Sequence, residues 1–130
     1  MSSVQVLPRV LTSLVTGPTA GARERTIAAQ LAARRTPAAP ECVAVLLEGL
    51  PDGLVILAPS PSALIARIAP GCLCCTGNLV LRVTLNRLLR RRPGRLYIAL
   101  AGTAHLDQLR SWLQQPPYDQ LLELTPDLRT

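Results

Sequence analysis

Short, uninterrupted apolar runs alternate along this chain with segments whose apolar residues recur every three or four positions, and few architectures accommodate that pattern. The segment from Val10 to Thr16 is β-branched and apolar, and Gly17-Pro18-Thr19-Ala20-Gly21 punctuates it. From Arg23 to Arg35 the chain is alanine-rich, with Ile27, Leu31 and Ala32 at helical spacing, which predicts a strand, a loop and a helix. Thr36-Pro37-Ala38-Ala39-Pro40 ends that helix and leads to a second apolar run, Val43 to Leu47. A third, Leu54 to Ala58, follows the turn Leu50-Pro51-Asp52-Gly53. The stretch from Leu64 to Ile68 fits a short strand or a short helix capped by Ser62. Beyond it, Leu79, Val83, Leu85, Leu88 and Leu89 predict a helix that runs to the arginines at 90 to 92 and stops at Pro93-Gly94. Leu96 to Ala101 reads as another buried strand, His105 to Gln115 as a helix ended by Pro116-Pro117, and Leu121 to Leu124 as a last strand. Strands alternating with helices predict an α/β fold of three layers, a mainly parallel sheet of about five strands covered by helices.

At 130 residues the chain has the size of one domain, residues 1–130, with a single core. Its 48% hydrophobic and 17% charged residues exclude a disordered tail. The aromatics are Trp112, Tyr97 and Tyr118, with no Phe, so the core must be aliphatic. No stacking platform for single-stranded nucleic acid can be assembled from them, which argues against a nucleic-acid partner. The charge is +6 and every one of the 14 basic residues is arginine. That removes any mechanism needing a catalytic or phosphate-binding lysine. Glu48, Pro51 and Asp52 break the longest apolar candidate for a membrane span. Met1 to Gly17 is read as a strand rather than a signal peptide.

Three of the four cysteines fall within four positions, in Gly71-Cys72-Leu73-Cys74-Cys75-Thr76. Such a cluster in a chain with no secretory signature points to a ligand or redox site in a reducing cytoplasm rather than a disulfide framework. In an extended segment Cys72 and Cys74 face the same side, and a turn near Gly71 or Gly77 swings Cys75 toward them. Three thiolates then converge on a soft ion such as Zn²⁺, which takes sulfur at about 2.3 Å, or another soft divalent metal. Three protein ligands leave one open position, the mark of an exchangeable site, with His105, Cys42 or water as the fourth donor. The competing reading is that the three thiols pack as small apolar groups.

The first strand, loop and helix lie where a phosphate-binding loop of the form G-x-x-x-x-G-K-S/T would sit. Aligning Gly17 with the first glycine places Gly21 within the loop, Ala22 at the second glycine, Arg23 at the lysine and Glu24 at the hydroxyl residue. A methyl group at 22 crowds close backbone approach, and Glu24 puts a negative charge where a hydroxyl would hold Mg²⁺. Arg23 and the helix amides still favour an anion, and the competing reading of so loose a pattern is an ordinary β–α turn.

The Gly-Cys-x-Cys-Cys-Thr motif, downstream of this strand, loop and helix, resembles the CobW family of metal-handling GTPases. Ser13 to Gly17 is similar to that family's first strand and loop. Ala99-Leu100-Ala101-Gly102-Thr103-Ala104-His105 resembles its strand ending in Glu-Ser/Thr-Ser/Thr-Gly-Leu-Ala. The resemblance covers most of residues 10 to 125 and implies a P-loop-like domain with Cys72, Cys74 and Cys75 as metal ligands. It implies GTP at Gly17, Gly21, Ala22, Arg23 and Glu24, and a client metalloprotein that receives the metal. The departures are equally specific. Ala22, Arg23 and Glu24 replace Gly, Lys and Ser/Thr, Ala99 stands where the family has Glu, and the guanine-specificity motif Asn-Lys-x-Asp is absent. Phosphoryl transfer rests on positioning and on charge neutralisation by Lys and Mg²⁺, so no catalytic residue is assigned. The expectation is a metal carrier or regulatory partner with an eroded nucleotide loop. Its alternatives are a GTPase in which Arg23 replaces the lysine and a non-catalytic interaction module. Arg87, Arg90, Arg91, Arg92 and Arg95 gather where the helix after the cysteines ends, either as a solvated helix terminus or as a surface for an acidic partner.

Overall fold

A computed structural model describes residues 9–34, 42–49, 56–69, 79–104 and 106–130. Among the described residues, six strands and four helices follow in the order β1 (Val10–Thr16), α1 (Ala20–Ala33), β2 (Val43–Glu48), β3 (Ala63–Ile68), α2 (Leu79–Arg90), β4 (Arg95–Ala99), α3 (Leu106–Leu113), α4 (Tyr118–Leu121), β5 (Leu122–Leu124) and β6 (Leu128–Arg129). The strands form one sheet in the order β3-β2-β4-β1-β5, with β6 also on β1, and every pairing is parallel. The α/β fold with a mainly parallel sheet is thus the one the sequence predicts.

Side-chain alternation divides the core into two layers, one on each face of the sheet. Leu96 and Ile98 of β4 join Leu14, Ala44 and Leu46 on one face, under Leu81, Leu85 and Leu88 of α2 and Leu106, Leu109 and Leu113 of α3. Tyr97 and Ala99, one register position away, face the other side with Val15, Val45 and Leu47, beneath Ile27 of α1. Central strands buried on both faces have no room for polar alternation, which is why β2 and β4 read as continuous apolar runs.

β1 is flanked on its outer edge by two short strands rather than one. Val10 to Thr12 pair with Leu122 to Leu124, and Val15 and Thr16 pair with Leu128 and Arg129. Pro126 lies between them and has no N–H for the ladder. Thr125 bridges the gap: its N–H and hydroxyl both donate to Thr12 O, at 2.8 and 3.1 Å, and its Oγ1 lies 2.5 Å from Ser13 Oγ. Arg110 of α3 grips Asp127 in the same crossing, and that hydrogen bond raises the guanidinium pKa further.

Several boundaries differ from the sequence reading. α1 begins at Ala20 rather than Arg23, because Thr19 caps it and its hydroxyl accepts from Ala22 N at 3.0 Å. The stretch Ala63–Ile68 is a strand, which settles the ambiguity between Leu64 and Ile68. The strand expected from Leu54 to Ala58 does not form over its described part: residues 56–58 are loop, with Leu57 buried in the α1-side core. Pro59 and Pro61 follow directly and restrict extension into a ladder. α4 and β6 were not expected.

Candidate functional site

In open parallel sheets ligands bind beyond the carboxyl ends of the strands, and that edge carries the β1–α1 loop singled out by sequence. β1 ends into Gly17-Pro18-Thr19 and α1; β2 ends at Glu48 and Gly49; β4 ends into Leu100-Ala101-Gly102. Leu100 N donates to Val15 O at 2.9 Å, and Gly49 N to Ile68 O at 2.9 Å, which knits adjacent strand ends together. Glu48 is 7% exposed, and its Oε1 accepts from Ala101 N at 2.7 Å. A carboxylate from β2 thereby organises the turn after β4.

The β1–α1 loop is occupied by the chain's own side chains. Arg23 is 5% exposed, and its Nη1 donates to Gly17 O at 2.8 Å, so the guanidinium closes back on the loop that precedes it. Ala22 N is held by the Thr19 hydroxyl, and Arg23 N donates to Thr19 O at 3.1 Å. Gly21 is buried in the first turn of α1. Thr130 N donates to Thr16 O at 3.0 Å, and a Cβ at Gly17 would overlap Thr130 Oγ1 and come within 3.2 Å of Arg23 Cγ. Glu24 is 2% exposed and forms a two-pronged ion pair with Arg67 of β3, at 3.0 and 3.1 Å. Gly17, Gly21, Ala22, Arg23 and Glu24 are therefore brought together, but as an internally bonded corner. Its residues do not fit a nucleotide triphosphate with Mg²⁺: the hydroxyl position is a carboxylate already bound to an arginine, and no lysine is present.

Cys72, Cys74 and Cys75 lie outside the described residues, as does His105. The described chain on either side of the motif runs to Ala69, one residue past the carboxyl end of β3, and resumes at Leu79, where α2 begins. Cys42 is partly buried beside the amino end of β2, and its carbonyl accepts from Gly94 N at 2.8 Å. That places it a strand length, roughly 20 Å, from the sheet edge at which the chain departs toward the motif. Among the described residues, no group of three or more His, Cys, Asp or Glu side chains is gathered to hold a metal ion.

Glu48, Arg67 and Thr130 were not singled out by sequence. The available signal was a charge in an apolar run: Arg67 sits between Ala66 and Ile68, and Glu48 closes Val43-Ala44-Val45-Leu46-Leu47. Thr130 gave no signal. No helix among the described residues is long and apolar enough to cross a membrane.

Among characterised proteins, the zinc chaperone YeiR of Escherichia coli (strain K12) is 40% identical over 78 residues, a stretch that covers 59% of this chain and 23% of that protein. The chain thus spans less than a quarter of the relative it matches. No protein-family profile matches the chain. No solved structure matches it. Over that stretch the chain is similar to part of a zinc chaperone, which agrees with the CobW-type resemblance at a coarse level.

Proposed function

We propose that this chain is a CobW-type metal carrier that takes zinc as cargo through Cys72, Cys74 and Cys75 and does not hydrolyse GTP efficiently. The observation that carries the reading is its 40% identity, over 59% of its length, to a zinc chaperone. The donor chemistry agrees. Thiolates are the preferred ligands of Zn²⁺, and three of them with one open position bind the ion while leaving a route for its transfer. Binding requires the thiols to give up their protons, so uptake is favoured as pH rises through the thiol range. That chemistry needs a reducing compartment, for which the cytoplasm is the proposed location. A client metalloprotein is the proposed recipient.

The geometry of the β1–α1 loop supports the absence of efficient hydrolysis. Arg23 is the one residue that can stand in for a phosphate-loop lysine, and its Nη1 is engaged by Gly17 O. Glu24 is held by Arg67. The alternative in which Arg23 drives a working GTPase gains no support from these contacts.

The test is a zinc titration of the purified, reduced chain with a competing chromophoric chelator. Wild type is expected to take up one ion per chain, and the variant with Cys72, Cys74 and Cys75 all changed to Ser is expected to take up none. Equal stoichiometry for the two would remove the site.

A further inference from the structure

The excess positive charge of this chain is confined to one stretch. Arg82, Arg87, Arg90, Arg91, Arg92 and Arg95 lie between residues 82 and 95 with no acidic residue among them, while over the rest of the sequence arginines and acidic residues are equal in number. Five of the six belong to α2 or the two residues after it and are exposed. The ion pairs among the described residues use Arg9, Arg67 and Arg110 instead. One or two cations in the last turn suffice to complement a helix dipole, whose influence fades within that turn.

The same helix face is apolar at its other end. Leu81, Leu85 and Leu88 point into the core, and opposite them Leu79, Val83, Arg87 and Arg90 fall on one outward stripe at spacings of three and four residues. Leu79 is 70% exposed, Val80 49% and Val83 46%, the three most exposed large apolar side chains among the described residues. An outward stripe therefore runs from apolar to cationic along about 18 Å of helix.

We propose that the outer face of α2 docks an acidic protein segment whose apolar side chains cover Leu79, Val80 and Val83 and whose carboxylates meet Arg87, Arg90 and Arg91. The distribution of charge selects this occupant. A nucleic-acid backbone satisfies the arginines but offers nothing to three exposed aliphatic side chains, and no exposed aromatic side chain flanks them for base stacking. A lipid surface takes up a helix whose apolar and basic residues lie on opposite faces; here the strongly apolar face is buried under the sheet, and the exposed apolar groups of the first turns, with Arg82 among them, are followed along the axis by Arg87 and Arg90. An acidic segment with an apolar end meets both halves at once. This surface stands independently of metal binding.

The test is fluorescence anisotropy on the full chain in reducing buffer, with a labelled peptide that is Leu-rich in its first half and Glu-rich in its second. Changing Arg87 and Arg90 to Glu is expected to weaken binding by at least about tenfold and to flatten its dependence on salt. Changing Leu79 and Val83 to Ser is expected to weaken it by about tenfold while leaving the salt dependence in place. All four side chains are exposed or at a helix end, and circular dichroism verifies that the variants fold. Labelled oligothymidylate and phosphatidylserine vesicles serve as competitors of the other two classes. Failure of the peptide to bind, unchanged affinity in either variant, or equal or tighter binding of oligothymidylate or vesicles would overturn the proposal.

Discussion

The carboxylate of Glu24, in the first turns of α1, is clasped by both terminal nitrogens of Arg67 near the end of β3, so a helix that follows the first strand is pinned to the far edge of the sheet. The two partners are unequally buried: the Glu24 side chain is 3% exposed and that of Arg67 26%. Removing either one breaks the same bonds but leaves a different orphan.

That inequality sets the direction of two substitutions. Arg67→Met leaves a carboxylate buried without a counter-charge and is expected to cost roughly 3–5 kcal/mol. Glu24→Gln leaves a guanidinium that reaches water, and the expected cost is about 1 kcal/mol. Urea unfolding of the two variants checks the order, and a larger loss for Glu24→Gln would contradict it.

Tyr118 couples α4 to α2, because its hydroxyl donates to Asn86 Oδ1 at 2.9 Å, and its ring lies 4.7 Å from that of Trp112. Burial raises its phenol pKa above the ordinary 10.0, against a smaller lowering by the charge of Arg82. The unfolded chain therefore loses this proton at lower pH than the folded one, so the contribution is complete below pH 10.0 and is lost as pH climbs from there through the raised folded value. Tyr118→Phe is expected to cost about 1 kcal/mol at neutral pH and to make the alkaline fall in stability shallower. Denaturant melts from neutral pH into the alkaline range measure both effects.

Two backbone positions should respond in opposite directions. Arg92 has φ 52° at the end of α2, a left-handed conformation that a side chain resists. Arg92→Gly is expected to stabilise the chain by about 0.5 kcal/mol, the relief of strain exceeding the added freedom of the unfolded state. Gly49 has φ 101° at the end of β2, with nothing within 4 Å of where a Cβ would stand. Gly49→Ala is thus a purely conformational change, expected to cost about 1–3 kcal/mol. Thermal melts that move in the same direction for both would contradict the assignment.

The parts of the fold legible in the sequence are those whose environment is uniform along the element. β2 from Val43 to Leu47 and β4 from Leu96 to Ala99 are buried on both faces, so these stretches lack polar alternation and signal a strand without help from elsewhere. β3 was ambiguous because Leu64-Ile65-Ala66-Arg67-Ile68 fits two periods, and what accommodates Arg67 in a strand is Glu24, 43 residues earlier. β6 is two residues long and carries no period at all. At the candidate site, spacing located the β1–α1 loop correctly. It did not reveal that Arg23 turns back on Gly17 or that Thr130 lies over the same glycine, since both depend on contacts formed only when the sheet assembles. The cysteine motif was the most specific chemical signal in the chain, and it lies outside the described residues.

The central claim is that Cys72, Cys74 and Cys75 present deprotonated sulfur to a soft metal ion. Cobalt(II) is a direct reporter in place of zinc, because its absorption spectrum distinguishes thiolate coordination from hydration. The reduced wild-type chain with one equivalent of Co²⁺ is expected to show an intense sulfur-to-cobalt charge-transfer band and the visible bands of a tetrahedral site, both erased by added Zn²⁺ and both missing from the triple Ser variant. A spectrum indistinguishable from hydrated Co²⁺, or thiolate bands that persist in the triple variant, would contradict it.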